Sequence, residues 1–296
     1  MMRAEVIKLV LRMLALLPLP LTHALATVIG RMLARYYPQG RLIQVVQKNI
    51  QLCFPNLSES QKIRLIEDNL IETCKTFIEL GALWLWPLKR VLNLIRVIQG
   101  EHYLQQAYQQ GKGVILLTPH LGAWELAGLY ASVHYPLTAL YRPPKLKGLQ
   151  QLIHRARQRG GGRFMPTDHT GVRALYHALR RGQIAGILPD QVPQTGLGIF
   201  APFLGMPAYT LILVSRLAHK TQAPVILTYA QRLPRGQGFH LHFLPAPANI
   251  QVPQLDIAVR ALNQGIEQCI DQCPSQYQWS YKRFKKQPEG ECSVYD

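Results

Sequence analysis

Five short runs rich in β-branched and aliphatic residues punctuate this chain, at 113–118 (GVILLT), 137–141 (LTALY), 184–188 (IAGIL), 225–230 (VILTYA) and 239–244 (FHLHFL). Between and around them the apolar residues recur at helical spacing, near 101–110, 122–134, 146–159, 170–181, 208–220 and 255–272. Strand, helix, strand in repetition constrains the fold strongly, because parallel strands need a crossover and a helix supplies it. The pattern predicts an α/β fold: a central, mostly parallel sheet flanked by helices. The last two runs are joined across the turn Pro234-Arg235-Gly236-Gln237-Gly238, so they are expected to pair antiparallel. Upstream, Ser58 and Gln61 have the spacing of a capping box and open a predicted helix over 59–82. No repeat, low-complexity tract or composition break interrupts 55–285, so the expected organisation is a segment 1–36, one domain 37–290 and a tail 291–296.

The 28 residues from Val6 to Leu33, VIKLVLRMLALLPLPLTHALATVIGRML, are strongly apolar. Their core, Met13 to Gly30, has about the length needed to span a bilayer, but Pro18 and Pro20 interrupt it. Three readings compete: a membrane anchor, bitopic or interfacial; a buried core helix; and a cleaved signal peptide ending near Ala24-Leu25-Ala26. Glu5, the internal charges and the apolar continuation TVIGRMLARYY weigh against cleavage, and a membrane-associated N-terminal helix is the expectation. Charge points the same way. Thirty-three Lys and Arg stand against 16 Asp and Glu, a formal net charge of +17, so an anionic partner is expected: nucleic acid, an anionic membrane surface or an acidic protein. Nucleic acid fits poorly, since no zinc-finger spacing, basic zipper or RNP-like strand is present. The five cysteines contain no C-x-x-C pair, which suggests idle thiols rather than a disulfide framework or a zinc site.

Chemistry concentrates just after the first strand run. His120 follows Thr118 almost directly, at the carboxyl end where parallel sheets collect their sites, and Glu125 falls in the first turns of the next helix. In that geometry the Glu125 carboxylate is expected to reach an imidazole nitrogen of His120, fix its tautomer and let it act as a general base. The plainer reading is a helix-terminal carboxylate beside a hydrogen-bonded histidine. No metal is expected, because H-E-x-x-H is absent and no third ligand has helpful spacing. G-x-S-x-G and G-x-x-x-x-G-K-[ST] are also absent, so the base would activate a hydroxyl of the substrate rather than one of the protein. Acyl transfer from a thioester to an alcohol meets that demand.

His120 and Glu125 as H-x-x-x-x-E, Tyr141-Arg142-Pro143, Pro189-Asp190-Gln191, Pro202-Phe203-Leu204-Gly205-Met206-Pro207-Ala208 and Gln278-Trp279-Ser280-Tyr281-Lys282-Arg283-Phe284-Lys285 occur in this order. Together they resemble the late acyltransferases of lipid A biosynthesis, the lauroyl/myristoyl transferases within the glycerolipid acyltransferase superfamily. The likeness runs from the N-terminal segment to about Pro288. It implies an enzyme at the cytoplasmic face of the bacterial inner membrane that moves a fatty acyl chain from acyl carrier protein to a hydroxyl of a phosphorylated glucosamine disaccharide lipid. The phosphopantetheine thioester is then a donor substrate, and no cofactor is implied. Both partners, the acidic carrier and the anionic lipid, suit the basic chain. The resemblance also implies His120 as base, Glu125 as its orienting partner, and Arg157 and Asp190 as further site residues, with Arg155 and Arg159 as alternatives to Arg157. Asp190 could pair with that guanidinium, which would bind phosphate or stabilise an oxyanion. Arg142 either supports the site or closes a turn. Many relatives in this branch have asparagine where Ala123 stands. Two rivals follow: an acyltransferase for another glycerolipid, glycolipid or aminolipid acceptor, and a non-catalytic basic membrane adaptor.

Overall fold

The computed structural model describes residues 2–295; Met1 and Asp296, the outer ends of the expected segments 1–36 and 291–296, lie outside the described residues. Seven strands form the central sheet: β1 Ile95–Gln99, β2 Val114–Leu117, β3 Leu137–Tyr141, β4 Arg163–Pro166, β5 Ile184–Ile187, β8 Val225–Arg232 and β9 Phe239–Pro245. A separate antiparallel hairpin consists of β6 Gly198–Phe203 and β7 Met206–Leu211. The order across the sheet is β1-β9-β8-β2-β5-β3-β4, and every neighbouring pair is parallel except β8 with β9. The mostly parallel α/β sheet and its antiparallel final pair are therefore as the alternation of runs implies.

Strands β2 and β5 are buried along their whole length, which is why they read as unbroken apolar runs. Successive side chains of a strand face opposite sides, and the two cores divide accordingly. Ile115, Leu117, Ala185 and Ile187 pack with the helices His169–Arg180, Leu213–Thr221 and Leu255–Gln272. On the other face Val114, Leu116 and Ile184 pack with Glu101–Gln109 and Trp124–His134.

Several boundaries differ from expectation. The helix expected over 208–220 begins at Leu213, because Met206–Leu211 pairs with β6 across a tight turn in which Leu204 and Gly205 both have positive φ. The helix expected over 59–82 keeps its capping box but divides at Glu79 into Glu59–Ile78 and Leu80–Leu85. Strands β1 and β4 lie at the two sheet edges, where partial exposure permits arginines and removes the apolar run that betrays a strand.

Pro18 breaks the N-terminal segment into the helices Met2–Leu16 and Leu19–Tyr36. One face of each lies against the body. Leu11 and Ala26 are buried, and a Cβ at Gly30 would stand 2.6 Å from the Ile71 backbone, so helix Leu19–Tyr36 sits almost directly on Glu59–Ile78. The opposite face exposes Val6, Leu9, Val10, Met13 and Leu16, then Leu21, Leu25, Val28 and Met32, at intervals that keep them on one stripe of each helix. Among the described residues no helix is long and apolar enough to cross a membrane.

Candidate active site

Strand order assembles the site. Leu117, the last residue of β2, is in register with Ile187, the last of β5, and three residues beyond each strand end stand His120 and Asp190. Asp190 Oδ1 lies 2.8 Å from His120 Nδ1, and the His120 backbone N–H donates to Asp190 Oδ2 at 2.8 Å. An ionised carboxylate only accepts, so Nδ1 carries the ring proton and Nε2 is left with its lone pair. The Gln191 amide nitrogen stands 3.2 Å from Nε2, where it can donate, and Trp124 packs edge-on to the imidazole at 5.2 Å between ring centroids. Burial of Asp190, which is 2% exposed, pushes its carboxyl up, but the His120 ring and backbone N–H outweigh that and hold it below the ordinary aspartate range.

The loop carrying His120 is fastened from behind. Gly122 has φ +60°, and a Cβ there would overlap the Ala230 carbonyl oxygen, so only glycine lets the loop lie against β8. Gly122 N–H donates to Gln276 O at 3.1 Å, Ala123 N–H to Ala230 O at 2.8 Å, and Gln278 N–H to His120 O at 3.0 Å. Behind the loop Arg232 donates to Gly122 O at 2.9 Å and is clamped by Glu79, to which Nη2 and Nε donate at 2.7 and 2.8 Å. His23 meets the same Glu79 carboxylate at 3.1 Å, so the N-terminal helix is tied to the site through one buried ion cluster. Burial alone would raise the Glu79 carboxyl; Arg232 and then His23 bring it below its ordinary value.

Glu125 does not meet the imidazole. Its two carboxylate oxygens accept from Nη2 and Nε of Arg157, the latter at 3.0 Å, and Trp84 Nε1 donates to Oε2 at 3.4 Å. The expected pairing is thus exchanged. Asp190 holds His120, and Glu125 holds the guanidinium that Asp190 was expected to hold. The physical reason is that β5 lies beside β2, which brings Asp190 to Nδ1, while the arginine fork already satisfies both oxygens of Glu125. Burial would lower the Arg157 pKa, but the facing Glu125 more than offsets it and keeps the guanidinium charged. Its plane also lies over the Tyr141 ring at 5.2 Å. Of the neighbouring arginines, Arg155 is exposed and Arg159 donates to the carbonyls of Leu83 and Trp86 at the end of helix Leu80–Leu85. Arg157 is therefore the one aimed at the site.

His120, Glu125, Arg157 and the exposed Arg142 line one cavity of about 1150 Å³. Leu83, Leu129, Leu137, Ala139 and Phe164 make part of its wall apolar, whereas Arg173, Arg216, Lys220, Lys285 and Lys286 contribute cations. Such a cavity suits a molecule with a long apolar part and an anionic part. Among the described residues no group of three or more His, Cys, Asp or Glu could hold a metal ion. Gln191, Gln276, Gln278, Glu79 and Arg232 also brace the site, and of these only Gln191 and Gln278 fall within the sequence motifs. Polar residues at strand ends and in a terminal segment carry no signal of which loop they brace until the sheet is assembled.

The chain is also similar in sequence to known proteins. Residues 6–286 match the family profile described as bacterial lipid A biosynthesis acyltransferase. The chain is 27% identical over 287 residues to the lipid A biosynthesis lauroyltransferase of Escherichia coli (strain K12), covering 97% of this chain and 92% of that protein. It is 29% identical over 280 residues to the lipid A biosynthesis palmitoleoyltransferase of the same organism, covering 94% and 90%. A lipid A biosynthesis acyltransferase of Haemophilus influenzae is 26% identical over 289 residues, covering 96% and 91%. With the profile spanning almost its whole length, the chain belongs to the bacterial lipid A biosynthesis acyltransferase family.

Proposed function

We propose that this acyltransferase moves a fatty acyl chain from the thioester of acyl carrier protein to a hydroxyl of a phosphorylated lipid A precursor, at the cytoplasmic face of the bacterial inner membrane. The observation that carries the reading is the imidazole of His120, held by Asp190 at Nδ1 and presenting the Nε2 lone pair beside a large, partly apolar, partly cationic cavity. Nε2 takes the proton of the acceptor hydroxyl as its oxygen attacks the thioester carbonyl, and Asp190 stabilises the imidazolium that forms. Collapse of the tetrahedral intermediate expels the thiolate, which receives that proton from Nε2. Arg157, fixed by Glu125 through Nε and Nη2, offers its remaining nitrogen to the oxyanion or to a substrate phosphate. His120 and Glu125 thus both serve the reaction, but through different partners.

The surplus of positive charge supports an acidic carrier and an anionic lipid surface, and the exposed apolar stripes of the two N-terminal helices support lying in the membrane interface. The test is incubation of the purified enzyme with acyl carrier protein thioesters and either a lipid A precursor or a lysophospholipid, followed by mass spectrometry. The precursor alone should gain one acyl mass, and His120→Ala should lose about 10²- to 10⁴-fold in rate. Acylation of the lysophospholipid instead, or full activity of His120→Ala, refutes the reading.

A further inference from the structure

The helix Trp124–His134 forms a continuous wall leading away from the reacting centre. Trp124 stands against the His120 ring, Glu125 follows, and Gly128 and Leu129 line the same cavity one turn further on. At the next turn Ser132 is buried and does not line the cavity. There Gly160 and Gly162 pack on Ser132, so tightly that a Cβ at Gly160 would overlap the Ser132 hydroxyl.

Gly128 is the odd residue of this wall. Glycine inside a helix is a destabilising choice, and Gly128 has none of the usual reasons for it. Its φ is not positive, and a Cβ built on it meets no atom within 4 Å. Gly30 and Gly81, by contrast, sit in helices where a Cβ would stand 2.6 Å from Ile71 and 2.7 Å from Leu11. What lies over Gly128 is the cavity itself, faced elsewhere by Leu137, Ala139 and Phe164.

We propose that Gly128 keeps open the apolar arm of the cavity through which the acyl chain extends, and that the bulk of the side chain here sets the longest chain the enzyme uses. The inference rests on the acyl-transfer reading and adds the residue that determines donor selectivity. A side chain at this position occupies cavity space one turn beyond Trp124, so donors with more chain to seat suffer more than short ones.

The test is the series Gly128→Ala, Gly128→Leu and Gly128→Phe, assayed with saturated acyl carrier protein donors from decanoyl to palmitoyl. Each step in bulk should move the preferred donor to a shorter chain, with the long-to-short ratio of kcat/KM falling at least about 10-fold for Gly128→Phe. The shortest donor should lose least. Unchanged donor preference in an active Gly128→Phe, or an equal loss for all donors, overturns the proposal. Gly128→Ala, which meets no neighbour, secures a folded member of the series. Calorimetric binding of free fatty acids gives a readout without turnover: selective loss of long-chain affinity in Gly128→Phe supports the arm, and equal affinities refute it. A wild-type enzyme that transfers no acyl group counts against the acyl-transfer reading, whereas altered donor preference is judged only among active variants.

Discussion

Replacing Asp190 with asparagine should reverse the tautomer of His120. The native carboxylate accepts from two donors, the His120 backbone N–H and Nδ1–H, both at 2.8 Å. The backbone can only donate, so in Asp190→Asn the single amide oxygen must take that bond and the amide NH₂ must face Nδ1. Nδ1 then has to accept, the ring proton moves to Nε2, and the nitrogen that should deprotonate the acceptor already carries a proton. Loss of a positioned general base costs about 10²- to 10⁴-fold. At about 1.36 kcal/mol per tenfold, that is roughly 2.7 to 5.5 kcal/mol of transition-state stabilisation. The assay is single-turnover acyl transfer read by mass spectrometry, with nitrogen NMR of the imidazole to report which ring nitrogen holds the proton. Glu125→Gln is the control, because it weakens the hold on Arg157 and leaves the tautomer alone. A folded Asp190→Asn protein that keeps turnover within about threefold of the native enzyme refutes the mechanism, as does a ring proton that stays on Nδ1.

Arg157→Lys keeps the charge but loses the fork that grips Glu125, and should lower kcat by about 10-fold or more with normal folding, measured by steady-state kinetics beside a thermal melt. Glu79→Gln removes the nearer of the two carboxylates on buried Arg232, leaving Glu72 at 3.4 Å, and should destabilise the protein by about 3 kcal/mol in urea titrations. Asp190 and Glu79 both have carboxyl pKa values below their ordinary range, so the stability they add is complete above the unfolded value near pH 4 and is lost as pH falls through the folded values. Urea midpoints should therefore fall as pH drops below about 5, and less steeply in Glu79→Gln. The double variant Leu9→Glu with Met13→Glu, at positions 57% and 60% exposed, should fold normally yet bind anionic vesicles about 10-fold more weakly in sedimentation assays.

Local order was written plainly in the chain. Ser58 and Gln61 form the capping box their spacing announces, since a cap depends only on residues three apart. Strands β2 and β5 are buried throughout, so their sequences are apolar throughout, and the short link containing Pro234 to Gly238 pointed to an antiparallel final pair. His120 falls at the carboxyl end of a strand because a few consecutive residues suffice to put it there. Strands β1 and β4 were invisible for the converse reason: edge positions tolerate Arg96 and Arg163, and the signal goes with the burial.

Which carboxylate serves the imidazole was a different matter. Glu125 is five residues from His120 and Asp190 is seventy, and chain distance favours the nearer group. Only the tertiary structure, by laying β5 directly beside β2, brings Asp190 to Nδ1 and frees Glu125 to hold Arg157. Short-range steric preference and burial pattern are properties of a segment and can be read from it. Strand order is a property of the whole chain's packing, and the pairing of charges at the site follows from that order.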